Sequence, residues 1–170
     1  MEKLESLIKT YNDFPKKGIA FKDLLGIIQD SEIFRELIFR MSLNHVIKNS
    51  EAIISIEARG FIFGSAISLQ ARKPMIVARK PGKLPGETFQ ENYDLEYGSN
   101  SLSIEKEALE KFSSFAIVDD LLATGGTVDC VARLINKSGK KISGLLTVVE
   151  LIELNGRSRF NFPVESILSI

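Results

Sequence analysis

Two adjacent carboxylates stand shortly before a glycine-paired turn in the stretch IVDDLLATGGT, residues 117–127. The carboxylates are those of Asp119 and Asp120, and the turn is formed by Ala123, Thr124, Gly125, Gly126 and Thr127. The two glycines let the backbone wrap closely around an oxyanion, and the threonine hydroxyls are additional donors. The pattern therefore predicts an anion site beside two negative charges, and a single ligand must account for both.

The elements around this turn are those that place ligands in α/β proteins. The apolar, β-branched run at 115–118 predicts a strand, and the amphipathic run at 127–137 predicts a helix. The turn thus lies at the carboxyl end of a strand and at the amino end of a helix, where the first N–H groups have no partner within the helix. A phosphate group fits this position.

The identity of the anion follows in part from what the motif lacks. No lysine follows the second glycine, so the stretch is not a Walker loop, and it does not match GxGxxG. The paired carboxylates could bind a metal, act as acid and base, or accept hydrogen bonds from neighbouring sugar hydroxyls. A ribose 5-phosphate reconciles the charges, with phosphate in the turn and hydroxyls on the carboxylates. An ordinary turn with an acidic helix cap would explain only one of the two aspartates.

Composition narrows the class of protein. The 170 residues, of which 44% are hydrophobic and 26% charged, predict a single domain over residues 1–170. The start, MEKLESLIKTYNDF, does not resemble a signal peptide, and no apolar run approaches the roughly 20 residues of a membrane helix, so we expect a cytosolic protein without a membrane partner. Lys plus Arg equal Asp plus Glu at 22 each, which gives no electrostatic reason to bind nucleic acid.

The chain has one cysteine, Cys130, and one histidine, His45. These counts exclude an internal disulfide and any site with two histidine ligands. Cys130 falls within a helical pattern, which favours a packed residue over a nucleophile. His45 falls in a second helical pattern and is expected at the surface or in a structural role.

Short apolar runs alternate with amphipathic runs of helical length along the chain. This alternation predicts an α/β fold with a mainly parallel sheet flanked by helices. The predicted strands are 52–56, 75–78, 115–118, 145–149 and a last one near 164–170. The predicted helices are 32–48, behind a cap at Asp30 or Ser31, together with 60–71 and 127–137.

Residues 80–100 depart from this alternation. They include two prolines and three glycines without a sustained period, and compact domains seldom contain so long an irregular connection unless it is a lid or is disordered. Three aromatic residues, Phe89, Tyr93 and Tyr97, favour a flexible lid. Five basic residues between 71 and 83 precede acids without bases between 84 and 105, which suggests a basic rim followed by an acidic flap, or simply two solvated segments.

The stretch VDDLLATGGT resembles the phosphoribosyl pyrophosphate signature of type I phosphoribosyltransferases, and its LLATGGT form is similar to that of the adenine-specific members. Four other stretches resemble segments of those enzymes in the same order: FPKKGIAFKDL, IEARGFIFG, RKPGKLPGETF and YDLEYGSNSLSIEKEAL. The resemblance spans nearly the whole chain. It implies that family's fold, with a small N-terminal hood over about 1–30 and a lid loop over about 80–100.

The resemblance also implies a reaction: adenine plus phosphoribosyl pyrophosphate giving AMP and pyrophosphate, in purine salvage. Its transition state gathers positive charge on the ribose while pyrophosphate leaves, so cations are needed at the leaving group. The implied pyrophosphate residues are Arg59, Arg79, Lys80 and Lys83, with a non-proline cis peptide in the loop at 58–59. In the family's usual homodimer, Lys83 would reach the neighbouring subunit's site.

The adenine site and the catalytic group follow from the same resemblance. Ala20, Phe21 and Lys22 correspond to the hood residues that hold adenine, where Phe21 by its local pattern alone could equally be a core residue. Glu96 is the implied catalytic acid at adenine N7, and Tyr97 belongs to the closing lid. Mg²⁺ is expected to arrive with phosphoribosyl pyrophosphate and to be bound mainly through substrate and water, because it dehydrates reluctantly.

Two other functions remain open from the sequence. One is a related transferase for another base, such as hypoxanthine or guanine, which the resemblance of the hood and of the LEYG segment to the adenine enzymes disfavours. The other is a regulator that retains the sugar-phosphate site without catalysis. A regulator should add a nucleic-acid-binding module or a strongly basic face, which the zero net charge and single-domain length disfavour.

Overall fold

The computed structural model describes residues 2–95 and 98–170, which form two compact units, 1–40 and 41–170. The smaller unit contains helix α1 (Glu2–Ser6), an antiparallel pair of strands, β1 (Lys9–Asn12) and β2 (Ala20–Asp23), helix α2 (Leu25–Gln29) and most of helix α3 (Ser31–Ser42). Asp30 accepts a hydrogen bond from the N–H of Ile33 at 3.1 Å and so caps α3, as predicted.

The larger unit is built on a five-stranded sheet in which every pairing is parallel. Its strands, in spatial order, are β4 (Met75–Ala78), β3 (Ala52–Ile56), β7 (Ser114–Leu122), β8 (Lys141–Glu150) and β9 (Val164–Ser169). The helices of this unit are α4 (His45–Lys48), α5 (Gly60–Ala71), α6 (Lys106–Glu110) and α7 (Gly126–Lys137). The predicted α/β class with a mainly parallel sheet is confirmed.

The central strands of this parallel sheet are buried along most of their length, as expected where helices cover both faces. All five residues of β3 are buried, and Phe115 and Ile117 of β7 have no exposed surface. Burying one such side chain is worth roughly 1.5–3 kcal/mol. Helix α7 is amphipathic and adds six buried residues to this core, among them Cys130, whose predicted packed role is confirmed.

The predicted helix over 32–48 is wrong as a single element. It is broken between α3 and α4, because the Asn44 side chain accepts a hydrogen bond from the N–H of Val46 at 2.9 Å and starts a new helix. His45, the first residue of α4, is exposed, as expected.

The prediction of an irregular connection over 80–100 is wrong from residue 88 onward. From Thr88 the chain forms an antiparallel hairpin of β5 (Thr88–Leu95) and β6 (Gly98–Glu105). Leu102 and Ile104 of β6 are buried in the main core. They alternate with polar residues along the strand, so both side chains point to the same face. Arg79 joins the hairpin to the end of β4, with hydrogen bonds to and from Ser103 at 3.0 and 2.7 Å.

In the described residues, no helix has the length and apolar character needed to cross a membrane.

Candidate active site

The glycine-paired turn joins the central strand β7 to α7. Strand β7 ends at Leu122, and α7 begins at Gly126 behind an N-cap at Gly125. Gly125 has φ 83°, a left-handed conformation that favours glycine. The first N–H groups of α7 have no acceptor within the helix and face the end of the sheet where ligands bind in open α/β folds. The predicted anion site thus has the expected local structure.

A segment far along the chain packs against this turn. A Cβ atom added at Gly156 would lie 2.1 Å from the carbonyl oxygen of Ala123. One added at Gly125 would lie 3.0 Å from the Gly156 carbonyl oxygen and 3.1 Å from Cδ of Arg159. Both glycines are therefore required by close approach of the backbone. This contact could not be predicted from the sequence, since Gly156 belongs to no motif in the predicted site.

The same segment is fixed by a buried carboxylate. Arg157 donates from Nε and Nη2 to the two oxygens of Glu150 at 3.0 and 2.6 Å, and from Nη1 to the carbonyl oxygen of Val164 at 2.7 Å. Hydrogen bonds from Arg157 hold the pKa of Glu150 below its usual value of 4.5. This bidentate pair anchors residues 156–159, which pack against the glycine-paired turn.

Asp119 and Asp120 lie within β7, which extends four residues beyond the predicted strand. The N–H of Asp120 donates to Oδ1 of Asp119 at 2.9 Å. Asp120 is buried, and Nε of Arg59 lies 2.8 Å from its Oδ2. The carboxylate of Asp119 lies against the start of α5, because a Cβ at Gly60 would be 2.7 Å from Asp119 Oδ1. Gly60 thus makes room for the carboxylate.

These carboxylates are poorly solvated for ionised groups. Loss of hydration, followed by repulsion from Asp120, raises the pKa of Asp119 well above its usual value of 3.8. Loss of hydration also raises the pKa of Asp120, and the Arg59 guanidinium opposes that shift. A ligand that brings hydrogen-bond donors or positive charge would stabilise the ionised forms of both carboxylates. Sugar hydroxyls and a cationic sugar ring would supply these.

A second cluster occupies the ends of the neighbouring strands β3 and β4. Glu57 accepts hydrogen bonds from Nη2 of Arg79 at 3.1 Å and from the N–H of Lys80 at 2.8 Å. Arg79 in turn donates from Nη1 to the carbonyl oxygen of Lys83 at 3.3 Å. The hydrogen bond from Arg79 is the main cause that lowers the pKa of Glu57 from its usual value of 4.5. Glu57 therefore organises the predicted basic residues, a role that the sequence did not indicate.

The three loops meet at one edge of the sheet. Strand β3 pairs with β4 on one side and with β7 on the other. Residues 57–60 and 79–83 follow β3 and β4, and residues 119–127 form the end of β7 and the turn after it. The Arg59–Asp120 pair connects two of these loops, and the Glu57–Arg79 pair connects the third. The non-proline cis peptide expected in this region is present between Glu57 and Ala58.

The suggested basic rim over 71–83 is divided by a strand. Strand β4 separates its two halves, so Arg72 and Lys73 precede the strand while Arg79, Lys80 and Lys83 follow it. Lys73 donates to the carbonyl oxygens of Lys48 and Ser50, which is a structural role. Only the second half lies at the edge of the sheet that carries the candidate site.

The remaining predicted residues fall in the smaller unit or outside the described residues. Ala20, Phe21 and Lys22 form β2, in which the Phe21 ring makes an edge-to-face contact with Phe14 at 5.1 Å between centroids. Lys22 donates to Oγ1 of Thr10 at 3.0 Å. The predicted catalytic Glu96 and the lid residue Tyr97 lie outside the described residues.

Comparison with protein families gives a match over most of the chain. The family described as "Phosphoribosyl transferase domain" matches residues 27–162. A protein of Prochlorococcus marinus (strain MIT 9515) named "Adenine phosphoribosyltransferase" is 66% identical over 167 residues, which cover 98% of each chain.

Solved structures of the same description share the fold. The crystal structure of adenine phosphoribosyltransferase from Thermoanaerobacter pseudethanolicus has a TM-score of 0.92 at 37% identity, covering 99% of both chains. The enzyme of Saccharomyces cerevisiae, crystallised with an iminoaltritol bisphosphate and adenine, has a TM-score of 0.91 at 36% identity, covering 98% of this chain and 97% of its own.

Proposed function

Because the chain belongs to the phosphoribosyl transferase domain family, we propose that it transfers the 5-phosphoribosyl group of phosphoribosyl pyrophosphate to N9 of adenine, giving AMP and pyrophosphate in purine salvage. The observation that carries this proposal is the meeting of a backbone phosphate turn, two carboxylates and a cationic loop at one edge of the sheet. Each part matches a different portion of a ribose that bears a 5-phosphate and a 1-pyrophosphate. The names of the relatives and the adenine in the yeast complex support the choice of base.

The turn and the carboxylates hold the sugar. Residues 123–127 receive the 5-phosphate through the free N–H groups at the start of α7 and through the hydroxyls of Thr124 and Thr127. Asp119 and Asp120 accept hydrogen bonds from the ribose hydroxyls. Since these carboxylates are poorly hydrated in the free protein, they also stabilise positive charge as it develops on the ribose ring.

The cationic loops hold the leaving group. As the bond between C1 of the ribose and the pyrophosphate oxygen breaks, both its electrons go to pyrophosphate. Arg59, Arg79, Lys80 and Lys83 neutralise this charge, and the backbone at 58–59 contributes N–H donors. Glu57 and Asp120 fix two of these guanidinium groups before substrate binds, which lowers the reorganisation needed during the reaction.

Mg²⁺ fits this site only as an ion that accompanies the substrate. In the part of the chain that the structure describes, no three His, Cys, Asp or Glu side chains are grouped to hold a metal. Because Asp120 already pairs with Arg59, few carboxylate oxygens remain to coordinate Mg²⁺. We therefore propose that Mg²⁺ is held mainly by pyrophosphate oxygens and water, with help from Asp119 or Asp120. When bound, it would neutralise part of the leaving group's charge.

For the base, the hood residues Ala20, Phe21 and Lys22 provide backbone hydrogen bonds and one aromatic face. Adenine N9 forms the new bond to C1 of the ribose, and the proton on N7 of the attacking tautomer must then leave. Glu96 accepts this proton or stabilises the charge at N7. Closure of the lid to which Tyr97 is assigned excludes water, which would otherwise hydrolyse the activated sugar.

A purified-protein assay tests the reaction. With Mg²⁺ and phosphoribosyl pyrophosphate we expect conversion of adenine to AMP, and little use of hypoxanthine or guanine. Glu96→Gln should lower the rate of AMP formation far more than it weakens sugar-phosphate binding, whereas Asp119→Asn should weaken that binding. Equal turnover of the three bases, or no turnover of adenine, contradicts the proposed reaction. The reverse pattern in the two variants contradicts the assigned roles.

We further propose a cytoplasmic homodimer of single-domain chains in which Lys83 enters the partner's site. Lys83 is exposed and follows the sheet edge, which is compatible with such a reach. Sedimentation should give twice the chain mass. If Lys83 acts between subunits, mixing inactive Lys83→Ala and Asp119→Asn subunits should restore about a quarter of wild-type activity, because half of the dimers then contain one intact site. Absence of restoration contradicts this arrangement.

A further inference from the structure

The β5–β6 hairpin is attached to the side of α7 by a carboxylate that the reaction does not require. Glu91 of β5 lies between two cations of α7, Arg133 and Lys137. Its side chain is only 15% exposed, its Oε2 is 3.7 Å from Nε of Arg133, and its Oε1 pairs with the ammonium group of Lys137. A carboxylate so enclosed is more strongly held than a surface ion pair.

The backbone of β5 is held at the same place. Nη2 of Arg133 donates to the carbonyl oxygen of Asn92 at 2.6 Å, and Sγ of Cys130 donates to that of Glu91 at 3.4 Å. Arg133 is oriented by Asp129, whose Oδ2 is 2.5 Å from Nη1. Cys130, Arg133 and Lys137 are spaced three or four residues apart and therefore form one face of α7. We call the contacts of this face with β5 the hairpin seam.

The seam continues to the phosphate turn. Two residues after Glu91, Tyr93 lies opposite Asn100 in the hairpin; burial raises the pKa of Tyr93, and Thr127, Asn100 and Asp119 are close enough to influence it. Thr127 is the second residue of α7, so β5 runs along the helix toward its amino end. Two strand residues span roughly 7 Å, and the six helical residues from Arg133 to Thr127 span roughly 9 Å. The two points of contact are therefore separated by similar distances along the strand and along the helix.

From this geometry we propose that Glu91 is a positioning residue, which through Arg133 and Lys137 fixes the lid hairpin relative to the phosphate turn. Tyr93 then links the hairpin to Thr127, so that 5-phosphate in the turn also stabilises the hairpin. The proposal rests on the proposed transferase function, because only then does the hairpin carry the catalytic group. A displacement of about 1 Å in such a group lowers a rate by as much as a hundredfold, which gives the seam its effect on catalysis.

The first test compares two carboxylates of the same hairpin. Glu91→Gln should lower kcat about tenfold while the KM for phosphoribosyl pyrophosphate changes less than about twofold, because the seam positions the lid rather than binding substrate. Glu87→Gln is the matched control: Glu87 pairs with Lys106 at 3.0 Å at the base of the hairpin but is 84% exposed, so its loss should leave kcat and KM unchanged. An equal effect of the two variants overturns the proposal.

A charge reversal separates positioning from general stability. Glu91→Lys would place three cations together and should lower kcat more than Glu91→Gln does. Adding Lys137→Glu restores an opposite pair and should recover most of the lost kcat. If the double variant recovers nothing, or if each loss of kcat follows a matching loss of melting temperature, the seam is merely structural.

Hydrogen exchange gives a readout that does not depend on catalysis. Ribose 5-phosphate should slow amide exchange in residues 88–105 of the wild type, and both Glu91→Gln and Tyr93→Phe should reduce that protection. If protection from exchange is unchanged in the variants, the proposed role of the hairpin seam is wrong, even if the enzyme is active. A wild type that protects its hairpin but does not convert adenine would instead refute the proposed function and leave the seam intact.

Discussion

The two regions proposed to bind the anionic groups of the substrate are built on opposite principles. The phosphate turn, residues 123–127, contains no lysine or arginine and offers backbone N–H groups and hydroxyls. The neighbouring loops at 57–59 and 79–83 present cations, two of which are paired with Glu57 and Asp120. The two regions lie at the same edge of one sheet, so the difference reflects their ligands rather than their place in the fold.

The reaction explains this difference. The 5-phosphate has the same charge before and after transfer, so dipoles and hydrogen bonds suffice to hold it. The pyrophosphate gains negative charge as its bond to the sugar breaks, and only groups that interact more strongly with that developing charge accelerate the step. A cation beside the 5-phosphate would instead strengthen binding of substrate and transition state equally.

The largest effect is expected from Arg59→Gln. It removes a cation from the leaving group and also leaves Asp120 buried without its ionic partner. Loss of one member of such a pair costs about 2–5 kcal/mol, so kcat/KM for phosphoribosyl pyrophosphate should fall between about thirtyfold and several thousandfold. Steady-state kinetics measure this, and Arg72→Gln, on the far side of β4, is the control expected to have no effect. A loss below tenfold in Arg59→Gln would mean that this cation does not act on the leaving group.

A smaller effect is expected in the phosphate turn, where position matters and charge does not. Gly156→Ala brings a methyl group against the Ala123 carbonyl oxygen and should displace the turn, raising the KM for phosphoribosyl pyrophosphate about tenfold and lowering the free energy of unfolding by about 1–3 kcal/mol.

Gly139→Ala is the control for Gly156→Ala. Gly139 has φ +71°, and no heavy atom lies within 4 Å of an added Cβ, so this variant should lose only about 1 kcal/mol and keep its KM. Equal changes in KM for the two variants would show that the backbone contact does not shape the turn.

The sequence predicted the elements that pack and missed contacts between distant loops. Strands 52–56 and 75–78 and helix 60–71 match the structure residue for residue, because each is a mainly apolar run with charged residues or proline close to its ends. Strand β7 was predicted to end at Val118, since the next two residues are charged. It continues because Arg59 and the start of α5 accommodate the two carboxylates, and neither contact is visible in a local pattern.

The same distinction between local patterns and distant contacts applies to the candidate site. The turn and its two aspartates were predicted because all their chemistry lies within nine consecutive residues. Glu57 and Gly156 were missed, since their roles depend on β3 lying beside β4 and on residues 156–159 folding back on the turn. The hairpin was missed because β5 alternates weakly and pairs only with β6, outside the main sheet.

The smallest effects concern the pH dependence of stability, where Glu57 of the cationic loops and Asp119, in the strand ahead of the phosphate turn, should respond with opposite sign. The pKa of Glu57 is lowered, so its contribution to stability is present above its usual pKa of 4.5 and is lost as pH falls through the folded value. In Glu57→Gln, the free energy of unfolding should therefore decrease less steeply as the pH falls.

The pKa of Asp119 is raised, so its contribution is complete below 3.8 and is lost as pH rises through the folded value. Asp119→Asn keeps an oxygen for the N–H of Asp120 but cannot ionise, so it should stabilise the free protein by about 1 kcal/mol near pH 7 while weakening sugar-phosphate binding. Denaturant unfolding between pH 3 and 8 measures both variants. A destabilised Asp119→Asn at pH 7 would mean that the carboxylate is already satisfied without ligand, and the contrast between the two regions would then rest on the leaving group alone.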